Sequence, residues 1–381
     1  MGTRPPGTPL RRVTTVAAVE AIVGRPPQLV LLKVTDSLDD GCRSVLARAP
    51  VAGLGFRAED GVPCTTLVGG APGFARVESP TRLRLEVPAG APRPVRGGCV
   101  SMVFLLPGIG ETLRFNGSVA EAAATRLTLD VHESFVHCAR CVLRSRLWHE
   151  PPTEPAPRRR DDDTTGPLRD DTTRPLHDGT AGPLLEHAAA EFLASSPFVL
   201  VSSWDGGGRG DTSPKGDLAG FVRVLDGHTL VIPDRRGNRR ADTLRNVVTC
   251  TEISLAALVP GRDDVLHLSG TAAVTDDPAC LAALAVKDNA PHAALVVHVE
   301  RAELRPNEAV RAARLWDQAA HVDGLDLMKV AAGHLARNKA HSAAASVTRL
   351  AVKGLAASPG LARRAIDAGY RKELRDEGYE S

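Results

Sequence analysis

The fold is decided by two stretches, SPKGD at residues 213–217 and PDRRGNRRADTLRN at residues 233–246. Together they gather one Ser, one Lys, five Arg, one Thr and two Asn. Guanidinium forks, an ammonium group, hydroxyls and amides are the donors that hold a phosphate dianion. Gly216 permits a tight turn, and Thr243 is a candidate cap of a following helix. Two other interpretations stay open, a solvated charged hairpin and contact with nucleic-acid phosphates.

The sequence around these stretches contains two copies of one pattern. Four blocks recur in the same order in the two halves: LDDGCRSVLARAP from Leu38 with LEHAAAEFLASSP from Leu185, CTTLVGGAPGFARV from Cys64 with DTSPKGDLAGFVRV from Asp211, LPGIGETLRFNG from Leu106 with VPGRDDVLHLSG from Val259, and FVHCARCVLRSRLW from Phe135 with ELRPNEAVRAARLW from Glu303. This order indicates an internal duplication.

A low-complexity segment separates the copies. Residues 151–184 are rich in Pro, Asp, Arg and Thr and repeat an eight-residue unit, which predicts a disordered linker. Each copy reads as one helix followed by short strands with Gly-, Pro- and Asp-rich turns, the pattern of a small antiparallel barrel. We therefore expect a first barrel at residues 20–150, a second at 185–318 and a helical C-terminal extension at 319–381.

Composition narrows the class of protein. Lys+Arg 47 against Asp+Glu 45 gives no basic excess, and aromatic residues make up only 3%, so we expect no nucleic-acid partner. The sequence has no run of eighteen apolar residues and therefore predicts no membrane span. The Pro- and Arg-rich start lacks the apolar core of a secretory signal. With seven cysteines, the chain is expected to be a reduced, cytoplasmic protein.

The order SPKGD, GF-R-V, IPDRRGNRR, VPG and a terminal R-LW resembles the pyridoxamine 5′-phosphate oxidase-like FMN-binding split barrels. The resemblance covers about residues 185–317 well and about 20–150 more weakly. It implies a mainly β fold with flanking helices (α+β), built from two tandem Greek-key split barrels. The family ordinarily pairs two such barrels as a homodimer with FMN in the interface. Here one chain would form the pair as an intramolecular pseudo-dimer.

Carried over residue by residue, the resemblance implies an asymmetric site. The first copy has TLVGG in place of SPKGD and keeps only Arg93 and Arg96 at the second motif, so it lacks the phosphate grip. The second copy has the phosphate grip, which would consist of Ser213, Lys215, Asn238, Arg239, Arg240 and Thr243. Two more of its residues, Pro214 and Gly216, would lie beside the flavin ring. The first copy would supply the opposite wall, from His137, Arg144, Arg146 and Trp148. One FMN per chain follows.

The leading hypothesis is an FMN-dependent oxidoreductase acting on an unidentified small molecule. His137 is the candidate for proton transfer because the unperturbed pKa of histidine lies near neutrality. Lys215 and Arg146 are candidates to stabilise negative charge on the reduced flavin. Whether the protein is an enzyme stays open, since it could instead be a non-enzymatic carrier of flavin, haem or deazaflavin, or a cofactor-free interaction module. A monomer and a homodimer also both remain possible.

The segment CARC at residues 138–141 has His132 and His137 close by. A zinc site usually needs four ligands at readable spacings, and no second pair supplies them. A thiol redox pair would be expected inside a thioredoxin-like βαβ pattern, which is also missing. The sequence therefore favours a pocket wall or buried thiols here, and we expect no metal site.

Overall fold

The computed structural model describes residues 10–88, 93–149, 184–185, 187–338 and 359–379. Apart from Leu184, the predicted linker at residues 151–184 lies outside the described residues. The strands are β1 (Arg12–Val13), β2 (Val51–Arg57), β3 (Pro63–Gly69), β4 (Ala75–Ser79), β5 (Arg82–Glu86), β6 (Cys99–Leu105), β7 (Thr112–Ala123), β8 (Arg126–His137), β9 (Phe198–Trp204), β10 (Gly210–Gly216), β11 (Arg223–Val224), β12 (Thr229–Asp234), β13 (Glu252–Leu258), β14 (Asp264–Thr275) and β15 (Ala293–Pro306).

The helices flank these strands. They are α1 (Val16–Val23), α2 (Gln28–Leu32), α3 (Asp40–Leu46), α4 (Arg140–Ser145), α5 (Ala188–Ser195), α6 (Asp242–Val247), α7 (Pro278–Ala283), α8 (Glu308–Ala312), α9 (Leu327–Arg337) and α10 (Pro359–Asp376). The mainly β fold with flanking helices is therefore confirmed. Among the described residues, no helix combines the length and the apolar character that a membrane crossing requires.

Each half of the chain forms one antiparallel sheet, and the two sheets share one strand order. The first runs β3-β2-β6-β7-β8-β5-β4, and the second runs β10-β9-β13-β14-β15-β12-β11 with β1 added beside β14. Both sheets shift register at the same aligned place, between Asn116 and Gly117 and between Ser269 and Gly270. A Cβ on either glycine would lie 2.0 Å from a carbonyl oxygen. The shared bulge agrees with an internal duplication.

The two sheets pack against each other through strands that are buried on both faces. In β9, Val199 and Val201 point into the core of the second sheet, whereas Phe198 and Leu200 point into a third core that lies between the sheets. A strand buried on both faces reads as a continuous apolar run. Gly53 in β2 faces Leu200 across this junction, where a Cβ would lie 2.3 Å from the leucine Cδ1. The junction is thus a packed core, as a pseudo-dimer requires.

The ends of the chain cross over to the opposite halves. Val13 and Val19 belong to the core of the second sheet, and Ile22 packs on it. Leu327 and Val330 of α9 belong to the core of the first sheet. The predicted boundary at residue 20 is therefore corrected, since α1 packs with the second half. An amphipathic helix packs its apolar face against an apolar surface, and the position of the helix in the sequence does not determine which half provides that surface.

A polar network holds α3 against α9. His334 is only 2% exposed, and its Nε2 lies 3.4 Å from both Cys42 Sγ and Asp39 Oδ2. Its Nδ1 lies 3.2 Å from the Lys33 carbonyl oxygen, and Arg337 also pairs with the Asp39 carboxylate. Burial alone would lower the pKa of His334, but hydrogen bonds to Asp39 and Cys42 raise it to about 9. The network therefore contains a charged, buried histidine.

Candidate functional site

A cavity of about 100 Å³ lies where the two halves meet. It is framed by β10 and the loop before α6 from the second half, and by the end of β8 and α4 from the first half. The second half contributes all eight of the residues predicted there: Ser213, Pro214, Lys215, Gly216, Asn238, Arg239, Arg240 and Thr243. The first half contributes Arg114, His137, Cys138, Arg140, Cys141 and Arg144. One wall thus comes from each copy.

Two residues expected in this wall lie elsewhere. Arg146 is exposed and ends α4 with a left-handed φ of 49°, and Trp148 follows this turn. The Trp148 indole donates a hydrogen bond to the Ile109 carbonyl at 2.7 Å and packs against Trp316 with ring centroids 6.2 Å apart. Neither residue lines the cavity, because the left-handed turn carries the chain away from it. The prediction for Arg146 and Trp148 is corrected accordingly.

Gly216 explains how α4 of one half approaches β10 of the other. A Cβ at Gly216 would lie 2.1 Å from the Cys141 carbonyl oxygen, so any larger residue would push the helix away. Pro214 sits two residues earlier in the same strand. Among the described strands β10 pairs with β9 alone, so it is an edge strand there, where the missing proline N–H is tolerated. These two positions shape the cavity through backbone packing.

The predicted lysine of the phosphate grip is charge-balanced by the second half itself. Lys215 Nζ lies 2.5 Å from Asp234 Oδ1, and His292 Nε2 lies 2.9 Å from the other carboxylate oxygen. Burial raises the pKa of Asp234, but Lys215 and His292 outweigh it and hold that pKa well below its usual range. Lys215 therefore reaches the cavity as half of a buried ion pair.

Arg240 bridges the two halves. Its guanidinium donates to Asp242 at 2.8 Å and to Glu133 of β8 at 2.7 Å, and it lies over the Phe135 ring, 4.2 Å from its centroid. Two carboxylates and an aromatic face leave this arginine little capacity for a further anion. Its main contribution is to fasten the loop before α6 to the first half.

Arg239 differs from both of these cations. Within the described part of the chain it has no hydrogen bond or ion pair, although it lines the cavity and is exposed. Its backbone is left-handed, with φ of 60°, and Ala241 follows with φ of 52°. Non-glycine residues held in this region carry strain and concentrate at binding sites. The loop thus presents one uncommitted guanidinium to the cavity.

Several buried donors in the cavity wall also lack an acceptor among the described residues. They are Asn238 Nδ2, Thr243 Oγ1, Arg114 Nε and Arg140 Nε. A buried donor without a partner costs about 1–3 kcal/mol, so natural proteins rarely leave one. Four of them around one cavity, next to a free guanidinium, are suited to a ligand rich in acceptor oxygens, such as a phosphate ester.

His137 is partly buried and lines the cavity. Burial, then the positive charges of Arg114 and Lys33, lower its pKa well below the ordinary value, and its Nδ1 has no partner among the described residues. The imidazole is therefore neutral near pH 7. The sequence argument that an unperturbed pKa suits His137 to proton donation does not hold, because its surroundings perturb that pKa strongly.

Sequence reasoning missed Lys33 and gave little weight to the thiols. Lys33 follows α2, and its pKa is lowered by burial and by Arg240 and Arg114, which places one more cation near the site. No motif surrounds this lysine, so the sequence carried no signal for it. Burial raises the pKa of Cys141 to about 12. That thiol stays protonated, which argues against a reactive CARC pair.

The matching place in the first half is apolar. Val68, which aligns with Lys215, belongs to the core of the first sheet. Leu67, which aligns with Pro214, packs with Ala309 and Val310 of α8 in the core between the halves. The two copies therefore share a backbone plan, but only the second has polar residues at the positions of the predicted phosphate grip.

Comparisons with known proteins agree with this asymmetry. Residues 185–306 match the sequence model of the family described as pyridoxamine 5′-phosphate oxidase. The resemblance predicted from the motifs is therefore confirmed, and the second half of the chain is similar to that family. The comparison with curated proteins gave no match.

Solved structures were also compared. HupZ of Group A Streptococcus is 19% identical, with a TM-score of 0.27, and the match covers 32% of this chain and 99% of that one. A protein from Clostridium acetobutylicum, related to general stress protein 26 of B. subtilis and of the pyridoxinephosphate oxidase family, is 18% identical with a TM-score of 0.23. That match covers 32% of this chain and 87% of the other.

Proposed function

We propose that the cavity between the two halves binds FMN through its phosphate, and that the protein is an FMN-dependent oxidoreductase. The observation that carries the proposal is the pair of buried donors Asn238 Nδ2 and Thr243 Oγ1, which find no acceptor in the described part of the chain, beside Arg239, which has no ion pair there. The family similarity of residues 185–306 supports the same cofactor. A phosphate ester would supply the missing acceptor oxygens.

On the phosphate side, the three groups divide the work. Arg239 offers a planar fork with full positive charge, Thr243 a hydroxyl, and Asn238 an amide N–H. Lys215 adds positive potential while staying paired with Asp234. The loop is left-handed at Arg239 and Ala241, and Arg240 fastens it to Glu133. A loop held in its binding conformation lowers the ordering cost of binding.

On the opposite side, the first half would orient the cofactor and exclude water. Bound FMN would supply hydride or single-electron transfer at its ring system, and the protein would tune that chemistry. Neutral His137 can share a hydrogen bond at Nδ1 but is a poor acid near pH 7. The positive charges of Arg114 and Lys33 close to it favour negative charge nearby.

Titration with FMN tests the binding step. Arg239→Ala and Thr243→Val should each weaken FMN binding about tenfold or more, because a charge-assisted hydrogen bond contributes about 1.5–3 kcal/mol. Arg96→Ala is the matched control, since that arginine lies in the first half, is exposed and does not line the cavity. Equal affinity for the wild type and the Arg239 and Thr243 variants would overturn the phosphate assignment.

Turnover tests the enzymatic step. The wild type loaded with FMN should lose its yellow absorbance when NADPH or NADH is added without oxygen, and regain it when oxygen is admitted. A yellow protein that neither reductant bleaches would indicate a carrier. A Soret band in the purified protein would indicate haem, and a protein that stays colourless with FMN would indicate an interaction module.

A further inference from the structure

The C-terminal segment, residues 359–379, crosses the junction between the two halves. Near its start, Arg363 donates to Glu111 of the first half at 2.9 Å. At its end, the Tyr379 hydroxyl donates to Asp217 of the second half at 2.7 Å. Leu374 and Tyr379 pack with Val286. This segment therefore touches both barrels on the side where α4 forms the cavity wall.

Two glutamates of the segment bind two arginines of the cavity. Arg144 approaches Glu377 with two nitrogens, Nε at 2.8 Å and Nη2 at 2.5 Å, although Arg144 is only 5% exposed. Arg140 Nη2 lies 2.7 Å from Glu373 Oε2. The arginines are four residues apart on α4, and the glutamates are four residues apart on the C-terminal segment. The two ion pairs, Arg140–Glu373 and Arg144–Glu377, therefore lie one helical turn apart and connect the facing sides of two helices.

A sharp turn at the end of α10 seats Tyr379. Gly378 is left-handed, with φ of 91°, and its N–H bonds the Arg375 carbonyl while the Tyr379 N–H bonds the Leu374 carbonyl. This is a common helix ending in which glycine reverses the chain. It delivers the Tyr379 hydroxyl to Asp217, whose other oxygen lies 2.6 Å from Arg235. The segment is thus held by polar contacts to the side chains that line the cavity.

Arg144 contacts one oxygen of its carboxylate, since Nε and Nη2 both lie against Glu377 Oε2, and Nη2 also donates to the Arg236 carbonyl at 2.5 Å. A buried guanidinium whose counter-charge is a carboxylate is a place that another carboxylate can take. Arg140 keeps a further buried donor, Nε, without an acceptor among the described residues. The carboxylates that fill this place belong to the C-terminal segment, and a competing anion could replace these two glutamate contacts.

We propose that Arg140 and Arg144 form a second anion subsite of the cavity, for a carboxylate-bearing substrate, and that Glu373 and Glu377 occupy it until the substrate displaces the C-terminal segment. The proposal rests on the proposed function only in taking the Asn238 and Thr243 end of the cavity as the cofactor end. The spacing of the two arginines favours a dicarboxylate, which matches both ion pairs. A tethered carboxylate competes at a high effective concentration, so the closed form is the resting state.

Succinate is the probe, and its uncharged diamide succinamide is the chemical control. The variant carrying both Glu373→Gln and Glu377→Gln should bind succinate about tenfold more tightly than the wild type in calorimetry without FMN, because the internal competitor has lost its charge. Asp376→Asn is the matched control, since Asp376 lies on the same helix but pairs with Lys372 at the surface. It should leave succinate affinity unchanged, and succinamide should bind none of these proteins.

Hydrogen exchange gives a second readout that needs no flavin. Succinate should speed exchange of the α10 amides in the wild type, and the double variant should exchange fast without it. Tyr379→Phe is the substitute test if the double variant fails to fold. It keeps both glutamates but removes the hydrogen bond to Asp217, so it should also speed exchange of the α10 amides. Equal succinate affinities for the wild type and the double variant, or α10 protection that succinate leaves unchanged, would overturn the proposal. Loss of FMN binding alone would overturn only the cofactor assignment.

Discussion

At the scale of the residue, cations of similar appearance in the sequence have different roles in the fold. The motif predicted Lys215, Arg239 and Arg240 as one phosphate grip, and the structure brings all three to one cavity. Their partners were not predictable, because Glu133 meets Arg240 across the junction of the two halves, and Asp234 meets Lys215 only once β10 and β12 have taken their places in the sheet. Local sequence gives the donor types, whereas the fold decides which donors stay uncommitted.

This difference predicts that Lys215→Ala and Arg239→Ala change stability by very different amounts. Lys215→Ala leaves Asp234 buried with only His292, so it should destabilise the protein by about 3–5 kcal/mol, the range for breaking a buried pair. Arg239→Ala removes an exposed, unpaired side chain and should change the free energy of unfolding by less than about 0.5 kcal/mol. Urea denaturation of both variants measures this. Equal stability of the two would show that the Lys215–Asp234 pair is not a buried anchor.

Gly216 offers a second residue-scale prediction. Gly216→Ala places a methyl group 2.1 Å from the Cys141 carbonyl oxygen, so α4 must shift and the protein should lose about 1–3 kcal/mol. Gly237→Ala is the control, because the nearest atom to its added Cβ is 3.9 Å away. Thermal unfolding compares them. An unchanged Tm for Gly216→Ala would mean that α4 does not rest on β10 as described.

At the scale of the element, the helices and strands of the structure agree closely with those predicted from the sequence. The helix predicted from Leu38 is α3, and the alignment of the two copies holds through the common bulge at Gly117 and Gly270. Glycine, proline and alternating apolar residues determine turns, bulges and strands over a few neighbouring positions, so these elements can be predicted from local sequence. The docking of α10 could not be predicted, because its partners Arg140 and Arg144 lie far from it in the sequence.

The contact between α3 and α9 should make stability depend on pH. The folded pKa of His334 is about 9, above its unfolded value of about 6.5, so its contribution is fully present below about pH 6.5 and is lost as pH rises through about 9. The difference in unfolding free energy between the wild type and His334→Gln should therefore fall by up to about 3 kcal/mol over that window. A difference that stays constant with pH would contradict a charged His334.

At the scale of the whole molecule, duplication allowed the two halves to specialise. Both walls of the cavity come from one chain, and the apolar core between the halves, with Leu67, Phe198 and Leu200, is already filled internally. We therefore expect a monomer of 40.2 kDa in solution. Light scattering measures the mass, and an obligate dimer would show that the halves pair between chains.

The central claim is a single composite site whose cofactor end belongs to the second half. The most direct measurement is the number of FMN molecules bound per chain, from calorimetry and from the absorbance of protein freed of unbound flavin. We expect one FMN per chain for the wild type and a large loss of occupancy in Arg239→Ala. Two per chain would contradict the asymmetry of the halves, and none would contradict the assignment of the cavity to a flavin.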